Sequence, residues 1–185
     1  MKPISPQQIF VISLGLLLLN TSCKKEVNKL PSATTTGANT FGCLMDAKAW
    51  IPEGRTGLFA SVYPTSGGFF GEVDSTVSIY IMAYGNNDEM TIYLKNATSP
   101  GTYYLNKNTS TKPNAVLPEA SYGTYDAMYE PEYVTDSIHT GVVTITHADL
   151  STGIVSGTFE MQLYQKTTGK IITISHGRFD YKTHI

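Results

Sequence analysis

This chain of 185 residues is poor in cysteine and in charged residues, and each shortage excludes a class of protein. It contains two cysteines, Cys23 and Cys43, which are too few for a fold held together by several disulfides. Charged residues make up 15% of the sequence, and residues 41–185 carry nine Lys or Arg against fourteen Asp or Glu. A net charge of −5 over that segment, with no basic stripe, argues against a nucleic-acid partner.

The chain also lacks an apolar run long enough to cross a bilayer as a helix, which takes roughly 20 residues. Its N-terminal apolar run, Ile9–Leu19, has eleven residues and follows a short segment that carries Lys2. This order of basic and apolar residues is typical of an export signal. We therefore predict a signal peptide at residues 1–22.

The small residues Thr21 and Ser22 precede Cys23, as they do where a lipoprotein signal is cut before an acylated cysteine. Asn20 stands where such signals usually have leucine. We expect lipidation of Cys23, with ordinary signal cleavage and secretion of a free domain as the alternative. Each buried methylene contributes about 0.8 kcal/mol to membrane binding, so two or three acyl chains would anchor the protein durably.

Residues 24–40 offer little to bury, so we predict that residues 23–40 are a lipidated cysteine followed by a flexible tether. Lys24, directly after the cysteine, resembles the sorting signal of outer-membrane lipoproteins. The expected location is the bacterial cell envelope, on the periplasmic or the outward face of the outer membrane. The first expected partner is the membrane itself, through the lipid anchor.

Apolar residues alternate with a period of two from residue 41 to the end and nowhere follow helical spacing over ten residues. The pattern predicts one all-β domain at residues 41–185, an antiparallel sandwich or flattened barrel of about eight to ten strands. A central hairpin is expected around the turn Gly85–Asp88. Its predicted pairs are Ala83 with Met90, Ile81 with Ile92, Ile79 with Leu94 and, on the reverse face, Tyr80 with Tyr93.

The last third of the chain predicts three consecutive antiparallel strands. Ile174 and Phe179 lie on opposite parities of one apolar pattern, which predicts a bulge at Gly177. Shorter strands are expected at Phe41–Met45, Lys48–Ile51, Leu58–Val62, Phe69–Val73, Thr102–Leu105 and near Tyr122 or Tyr133.

The segment Phe41-Gly42-Cys43-Leu44-Met45-Asp46-Ala47-Lys48-Ala49-Trp50-Ile51-Pro52 carries a resemblance. It is similar to the opening hairpin of a family of small, uncharacterised bacterial envelope lipoproteins with the pattern Phe-x-Cys-x-x-Asn-Gly-x-x-Trp-x-Pro. Gly101–Tyr104, Ser156–Phe159 and Gly177–Asp180 resemble later landmarks of that family. The resemblance implies an exported β domain and brings no catalytic residue with it.

Histidine and cysteine give little sign of catalysis. His147 and His176 are predicted to face the core opposite Val155 and Phe159, at levels about 13 Å apart, too far for a shared metal. His139 and His184 are expected at the surface, and Cys43 is expected to be a buried small hydrophobe. We therefore expect no enzyme activity, no metal and no cofactor.

Two acidic clusters could offer oxygen ligands to calcium. They are Asn86–Glu89 and the group Asp126, Glu130, Glu132 and Asp136. Neither follows the regular spacing of a calcium loop, so a plain turn and a solvated loop are the favoured interpretations.

The chain has twelve tyrosines, and four of them, Tyr122, Tyr125, Tyr129 and Tyr133, fall in a predicted loop at 122–133. Exposed tyrosines would suit a carbohydrate or a peptide, whereas the simpler interpretation packs these rings on strand faces. Three hypotheses follow. The first is a lipid-anchored envelope protein with a non-catalytic binding or structural role, whose partner is another envelope protein or a glycan. The second is a carbohydrate- or peptide-binding module that uses loop 122–133. The third is a hydrolase with a dispersed site, which a histidine in an open cleft beside a Ser or Asp would favour.

Overall fold

A computed structural model describes residues 25–56, 61–71, 76–107, 120–128 and 130–183. Thirteen strands lie within these ranges, more than the eight to ten predicted, because several have only two or three residues. They are β1 (Thr40–Met45), β2 (Lys48–Trp50), β3 (Arg55–Thr56), β4 (Ser61–Val62), β5 (Thr65–Gly71), β6 (Val77–Tyr84), β7 (Asp88–Leu94), β8 (Gly101–Leu105), β9 (Tyr122–Ala127), β10 (Tyr133–Val134), β11 (Gly141–Asp149), β12 (Ile154–Tyr164) and β13 (Ile171–Lys182). No helix among the described residues has the length and apolar character needed to cross a membrane.

The strands form a curled antiparallel sheet, a half-barrel, in the order β2-β1-β13-β12-β10-β9-β7-β6-β5. The long strand β12 pairs through Tyr164 with β10 and, over its first eight residues, with β11, which in turn pairs with β8. Strands β3 and β4 pair separately. The predicted all-β class is therefore confirmed, and the curled sheet is consistent with the flattened barrel.

The core lies inside the curl, where side chains from β1, β6, β7, β12 and β13 meet. The central hairpin has the predicted register, with Ala83 opposite Met90, Ile81 opposite Ile92, Ile79 opposite Leu94 and Tyr80 opposite Tyr93. Its inward aliphatic side chains are fully buried. The period-two alternation was enough to predict this register because each of the two strands buries one whole face.

The predicted bulge in β13 is present, but it ends one residue before Gly177, where it was expected. Gly177 pairs with Phe159 and Ile174 with Met161, so Ser175 and His176 together face Glu160. His176 has a φ of 53°, the left-handed conformation that non-glycine residues rarely adopt. A Cβ at Gly177 would lie 2.6 Å from three ring atoms of Phe159, so the glycine admits that ring.

The predicted positions of both histidines are wrong. A register shift at Thr146 places His147 opposite Ser156 rather than Val155, and its side chain is half-buried. The bulge turns His176 to an exposed position beside the level of Glu160. A bulge moves every later residue of its strand to the opposite face of the sheet. The alternation shows that such a change occurs but not at which residue.

The prediction of a flexible tether is wrong for the described part of that segment, residues 25–39. This N-terminal strap begins with a helical turn at residues 25–27 and then packs along the outside of β1 and β13. Leu30 is buried, and a Cβ at Gly42 would lie 2.7 Å from Cδ of Pro31. The strap was missed because its partners on β13 are more than a hundred residues away in sequence.

Candidate ligand-binding groove

The tyrosines predicted as a recognition loop lie in paired strands instead. Tyr122 and Tyr125 belong to β9 and Tyr133 to β10, and all three side chains are buried. The rings of Tyr122 and Tyr93 stack with centroids 5.4 Å apart. The prediction that these residues present exposed rings is corrected, because a β9–β10 pair buries them; Tyr129 lies outside the described residues.

The hydroxyls of two of these tyrosines are bound within the protein. Tyr125 donates to Asp88 Oδ2 at 2.7 Å, and Tyr133 donates to Glu130 Oε2 at 3.1 Å. Burial raises the pKa of both tyrosines, and the neighbouring carboxylates raise it further. The stretch 122–133 therefore supports the fold rather than a ligand.

In the first acidic cluster, Asn86–Glu89, the two carboxylates make contacts within the fold. Asp88 Oδ2 accepts hydrogen bonds from Trp50 Nε1 at 3.1 Å and from Tyr125, and Glu89 pairs with Arg55 at 3.4 Å. The favoured interpretation, a structural turn, agrees with these contacts. Among the residues that the structure describes, no group of three or more His, Cys, Asp or Glu is placed to hold a metal ion.

In the second acidic cluster, Asp136 is held by contacts with its neighbours in sequence. Asp136 accepts hydrogen bonds from the backbone N–H groups of Ile138 and His139, and its carboxylate lies 3.1 Å from His139 Nδ1. Burial raises the pKa of Asp136, but these hydrogen bonds outweigh it and lower the pKa below its usual value. His139 also stacks on Tyr164 at 4.4 Å. It is thus a packed side chain rather than the free surface residue expected.

The two cysteines have separate outcomes. Cys43 is fully buried, and desolvation raises its thiol pKa to about 12, so a reactive thiolate is disfavoured at neutral pH. Cys23, the predicted lipidation site, lies outside the described residues, as does His184.

A groove of about 1000 Å³ runs along β5 and β6 in the described part of the chain. We call it the aromatic groove. The outer-face side chains Tyr80, Met82 and Tyr84 of β6 line it. Its remaining lining residues are Asn39, Ser61, Val62, Tyr63, Pro64, Thr65, Ser66, Gly67, Gly68, Phe69, Phe70, Tyr181, Lys182 and Thr183.

Two glycines in β5 shape this groove. Gly68 pairs with Tyr80, so no side chain opposite covers the tyrosine ring. Gly67 and Gly68 have φ values of 140° and 125°, and a Cβ at Gly68 would overlap Thr183. The glycines therefore let the end of β13 meet β5, where Thr183 Oγ1 accepts a hydrogen bond from the Phe69 N–H at 2.9 Å.

Several large apolar side chains at the rim of the aromatic groove are exposed to solvent instead of being packed in the core. Tyr63 is 83% exposed, Phe70 48% and Val62 40%. Among the described residues, the lining contains one charged side chain, Lys182, and no carboxylate. Sequence reasoning missed this surface, although paired glycines beside paired phenylalanines in one strand, Gly67–Phe70, were a usable signal of a bare sheet surface.

A smaller cavity of about 410 Å³ lies over the bulge of β13, which we call the bulge cavity. Ala33 of the strap forms one part of it, and Glu160, His176 and Arg178 form another. His176 Nδ1 lies 3.3 Å from Ser175 Oγ. This is a histidine in an open cleft beside a serine, the arrangement set out above as favouring a hydrolase.

Residues 67–181, more than half of the chain, match the family described as "Domain of unknown function (DUF6252)". The chain belongs to this family. No curated protein and no solved structure shows a significant match to it. The matched DUF6252 region contains the bulge and about half of the residues that line the aromatic groove, and it begins after the strap and Tyr63.

Proposed function

We propose that this protein is a lipid-anchored, non-catalytic binding protein of the bacterial envelope and that the aromatic groove holds its ligand. The observation that carries the proposal is the cluster of exposed aromatic and apolar side chains around the groove. Monomeric proteins rarely expose contiguous apolar patches without a use for them, and such patches mark binding surfaces.

The ligand class that best fits the groove is a glycan chain without strong charge. Tyr63, Phe70 and Tyr80 offer ring faces for the apolar faces of sugar rings, and Ser61 and Thr65 offer hydroxyls. The part of the lining that the structure describes, with one cation and no carboxylate, offers little to a highly charged ligand.

A peptide fits the groove less well. Extended peptides bind by adding a strand to a free sheet edge, and β5 is the terminal strand of the sheet. The Phe69 N–H on that strand already donates to Thr183. A peptide strand would have to displace this contact, whereas a glycan stacking on the rings would not.

The anchor part of the proposal is supported by the sequence Thr21-Ser22-Cys23 after the apolar run. Mass spectrometry of protein extracted from bacterial membranes is expected to find an acylated N-terminal Cys23. Cys23→Ala should release the protein or block its processing. A mature chain that starts at Lys24 or later, without acyl mass, would refute the anchor.

The ligand part can be tested on an array of immobilised oligosaccharides and short extended peptides. Loss of one stacking ring costs about 0.5–1.5 kcal/mol, so Tyr63→Ser should weaken oligosaccharide binding roughly two- to twelve-fold. The matched control is Tyr104→Ser, which removes another exposed tyrosine side chain, from β8 and away from the groove. Equal effects of the two variants, or binding to peptides alone, would contradict the glycan assignment.

The bulge cavity gives one specific reason to test hydrolysis as a second function. His176 has an unusual backbone conformation, and such residues cluster at functional sites. Its serine contact is long, however, and the two residues are adjacent in sequence, with His176 exposed and Ser175 half-buried. Turnover of an ester, glycoside or peptide by purified protein, abolished by His176→Ala, would favour this function over simple binding.

A further inference from the structure

We propose that the end of the half-barrel formed by the β1–β2 turn lies directly against the lipid surface, with the opposite end facing away. This inference rests on the proposed acylation of Cys23. It concerns the N-terminal strap, which was expected to be a loose tether and is instead attached to the sheet along its length.

The strongest attachment is the side chain of Asp180 on β13, which is buried. Its carboxylate accepts five short hydrogen bonds, from Thr34 Oγ1 at 2.6 Å, Thr36 N at 3.0 Å, Gly37 N at 2.9 Å, Ala38 N at 3.1 Å and Ser156 Oγ at 2.7 Å. Burial raises the pKa of Asp180, but these donors outweigh it and lower the pKa to about 2. The carboxylate is therefore charged at neutral pH and holds the strap backbone.

Further contacts hold the strap towards its beginning. Arg178 Nη1 donates to the carbonyl of Pro31 at 3.2 Å, and Leu30 is buried beside Gly42. Glu26 accepts the N–H of Ala49 on β2 at 3.0 Å. The beginning of the strap thus lies on β2 beside the β1–β2 turn, and its later residues are bound to Asp180.

The chain that remains between the strap and the proposed acyl chains is short. Only Lys24 separates Cys23 from Lys25, the first residue of the strap, and two residues span at most about 7 Å. From Ile174, which pairs beside the β1–β2 turn, to Lys182 at the far end, β13 extends roughly 26 Å. A link this short cannot let the domain turn its far end to the membrane while the strap stays bound.

The face brought to the lipid carries Lys25, Lys29 and Lys48, all near the strap's beginning. Glu26 in the same place is paired with Lys29 at 2.5 Å, and Asp46 accepts the N–H of Thr173. Lysines beside a bilayer attract anionic lipid. Lys182 and Thr183, which line the aromatic groove, lie at the other end, so that part of the groove points away from the membrane.

Trp50 makes the arrangement measurable, because it is the only tryptophan and lies on β2 next to Ala49. The acylated protein would be reconstituted into vesicles of phosphatidylethanolamine and phosphatidylglycerol that contain a dansyl-labelled lipid. We expect strong quenching of Trp50 fluorescence by energy transfer. Inserting ten Gly and Ser residues between Lys24 and Lys25 adds a link of roughly 17 Å and should reduce the quenching several-fold.

The matched control places the same insertion between Ser151 and Thr152, in the exposed β11–β12 turn at the far end, where it should leave the quenching unchanged. Vesicle binding with equal quenching in the original and the strap-inserted protein would overturn the inference and leave the anchor standing. An equal loss of Trp50 quenching from both insertions would also overturn it. Failure of the protein to float with the vesicles would overturn the proposed anchor and this inference together.

Discussion

The β6–β7 and β12–β13 hairpins are both antiparallel, yet only the first keeps an unbroken register. Six consecutive pairs connect β6 and β7, from Ile79 with Leu94 to Tyr84 with Glu89. The β12–β13 pair is longer, but Ser175 and His176 interrupt it. It also buries Asp180, a charged side chain that needs donors from outside the hairpin.

The difference shows two ways of stabilising neighbouring strands. The inward face of β6–β7 is filled by aliphatic side chains close together in sequence, so its stability comes from apolar burial. The outward face of β12–β13 near Asp180 is completed by the N-terminal strap, 142 to 146 residues away. Truncating an apolar side chain should therefore weaken the first hairpin, and removing a charge should weaken the second.

The largest effect is expected from Ile81→Ala in β6. Ile81 is fully buried, and removing such a side chain typically costs about 2–5 kcal/mol of unfolding free energy. Urea denaturation followed by circular dichroism would measure it. Ile171→Ala, at a half-exposed position of β13, is the control and should change stability by less than about 0.5 kcal/mol. Similar losses from both variants would contradict the assigned faces.

Asp180→Asn should lower the unfolding free energy by about 3 kcal/mol, because the amide removes a charge that several donors share. Hydrogen exchange at the amides of Gly37 and Ala38 should also become faster. The control is Asp149→Asn, another aspartate whose pKa is lowered to about 2, chiefly by Ser151, but in an exposed turn. Its effect should be smaller and should leave exchange in the strap unchanged.

The same carboxylate predicts a pH dependence. Because the pKa of Asp180 is about 2 in the folded chain and about 3.9 in an unfolded one, its contribution is fully present above pH 4. It is lost as the pH falls from about 4 to 2 and amounts to roughly 1–2 kcal/mol after allowance for solvent screening. Denaturation curves across this range should be flatter for Asp180→Asn. An equal slope in both proteins would show that another carboxylate is responsible.

A smaller effect, about 1 kcal/mol, is expected for Ser78→Ala on the outer face of β6. The alternation alone suggests a nearly neutral change there, but Ser78 is buried, and its Oγ accepts the N–H of Asn96 at 3.1 Å and lies 3.2 Å from Tyr93 Oη. Thermal unfolding would distinguish the two expectations. A midpoint identical to that of the original chain would mean that this face is solvated.

The smallest effect concerns the bulge. His176→Gly relieves a positive φ but adds flexibility to the unfolded chain, so the net change should lie within about 1 kcal/mol and favour stability. Gly177→Ala is the contrasting variant, since its Cβ would press on Phe159. A clear loss of stability from His176→Gly would show that the imidazole itself holds the bulge, which would also strengthen the case for a function there.

Local patterns predicted the parts of the fold that depend on neighbours in sequence. The alternation in Val77–Ala83 and Met90–Lys95 was enough for the pairs of the central hairpin, and the parity change before Phe179 was enough for the bulge. Both follow from the rule that adjacent strand residues point to opposite faces. The candidate site was harder, because the tyrosine-rich stretch and the aromatic groove are both rich in aromatic residues, yet the tyrosines of the first are buried and the rim of the second is exposed.

By itself, the sequence determined an all-β domain, the register of its central hairpin and the burial of Cys43, because each follows from alternating apolar residues in short segments. The tertiary structure decided that the strap is attached to Asp180, that Tyr122, Tyr125 and Tyr133 are buried, and that the aromatic surface lies on β5 and β6. These outcomes depend on which distant strands the curl of the sheet brings together. Burial and the hydrogen bonding of a buried charge are properties of that three-dimensional neighbourhood, which no window of a few residues contains.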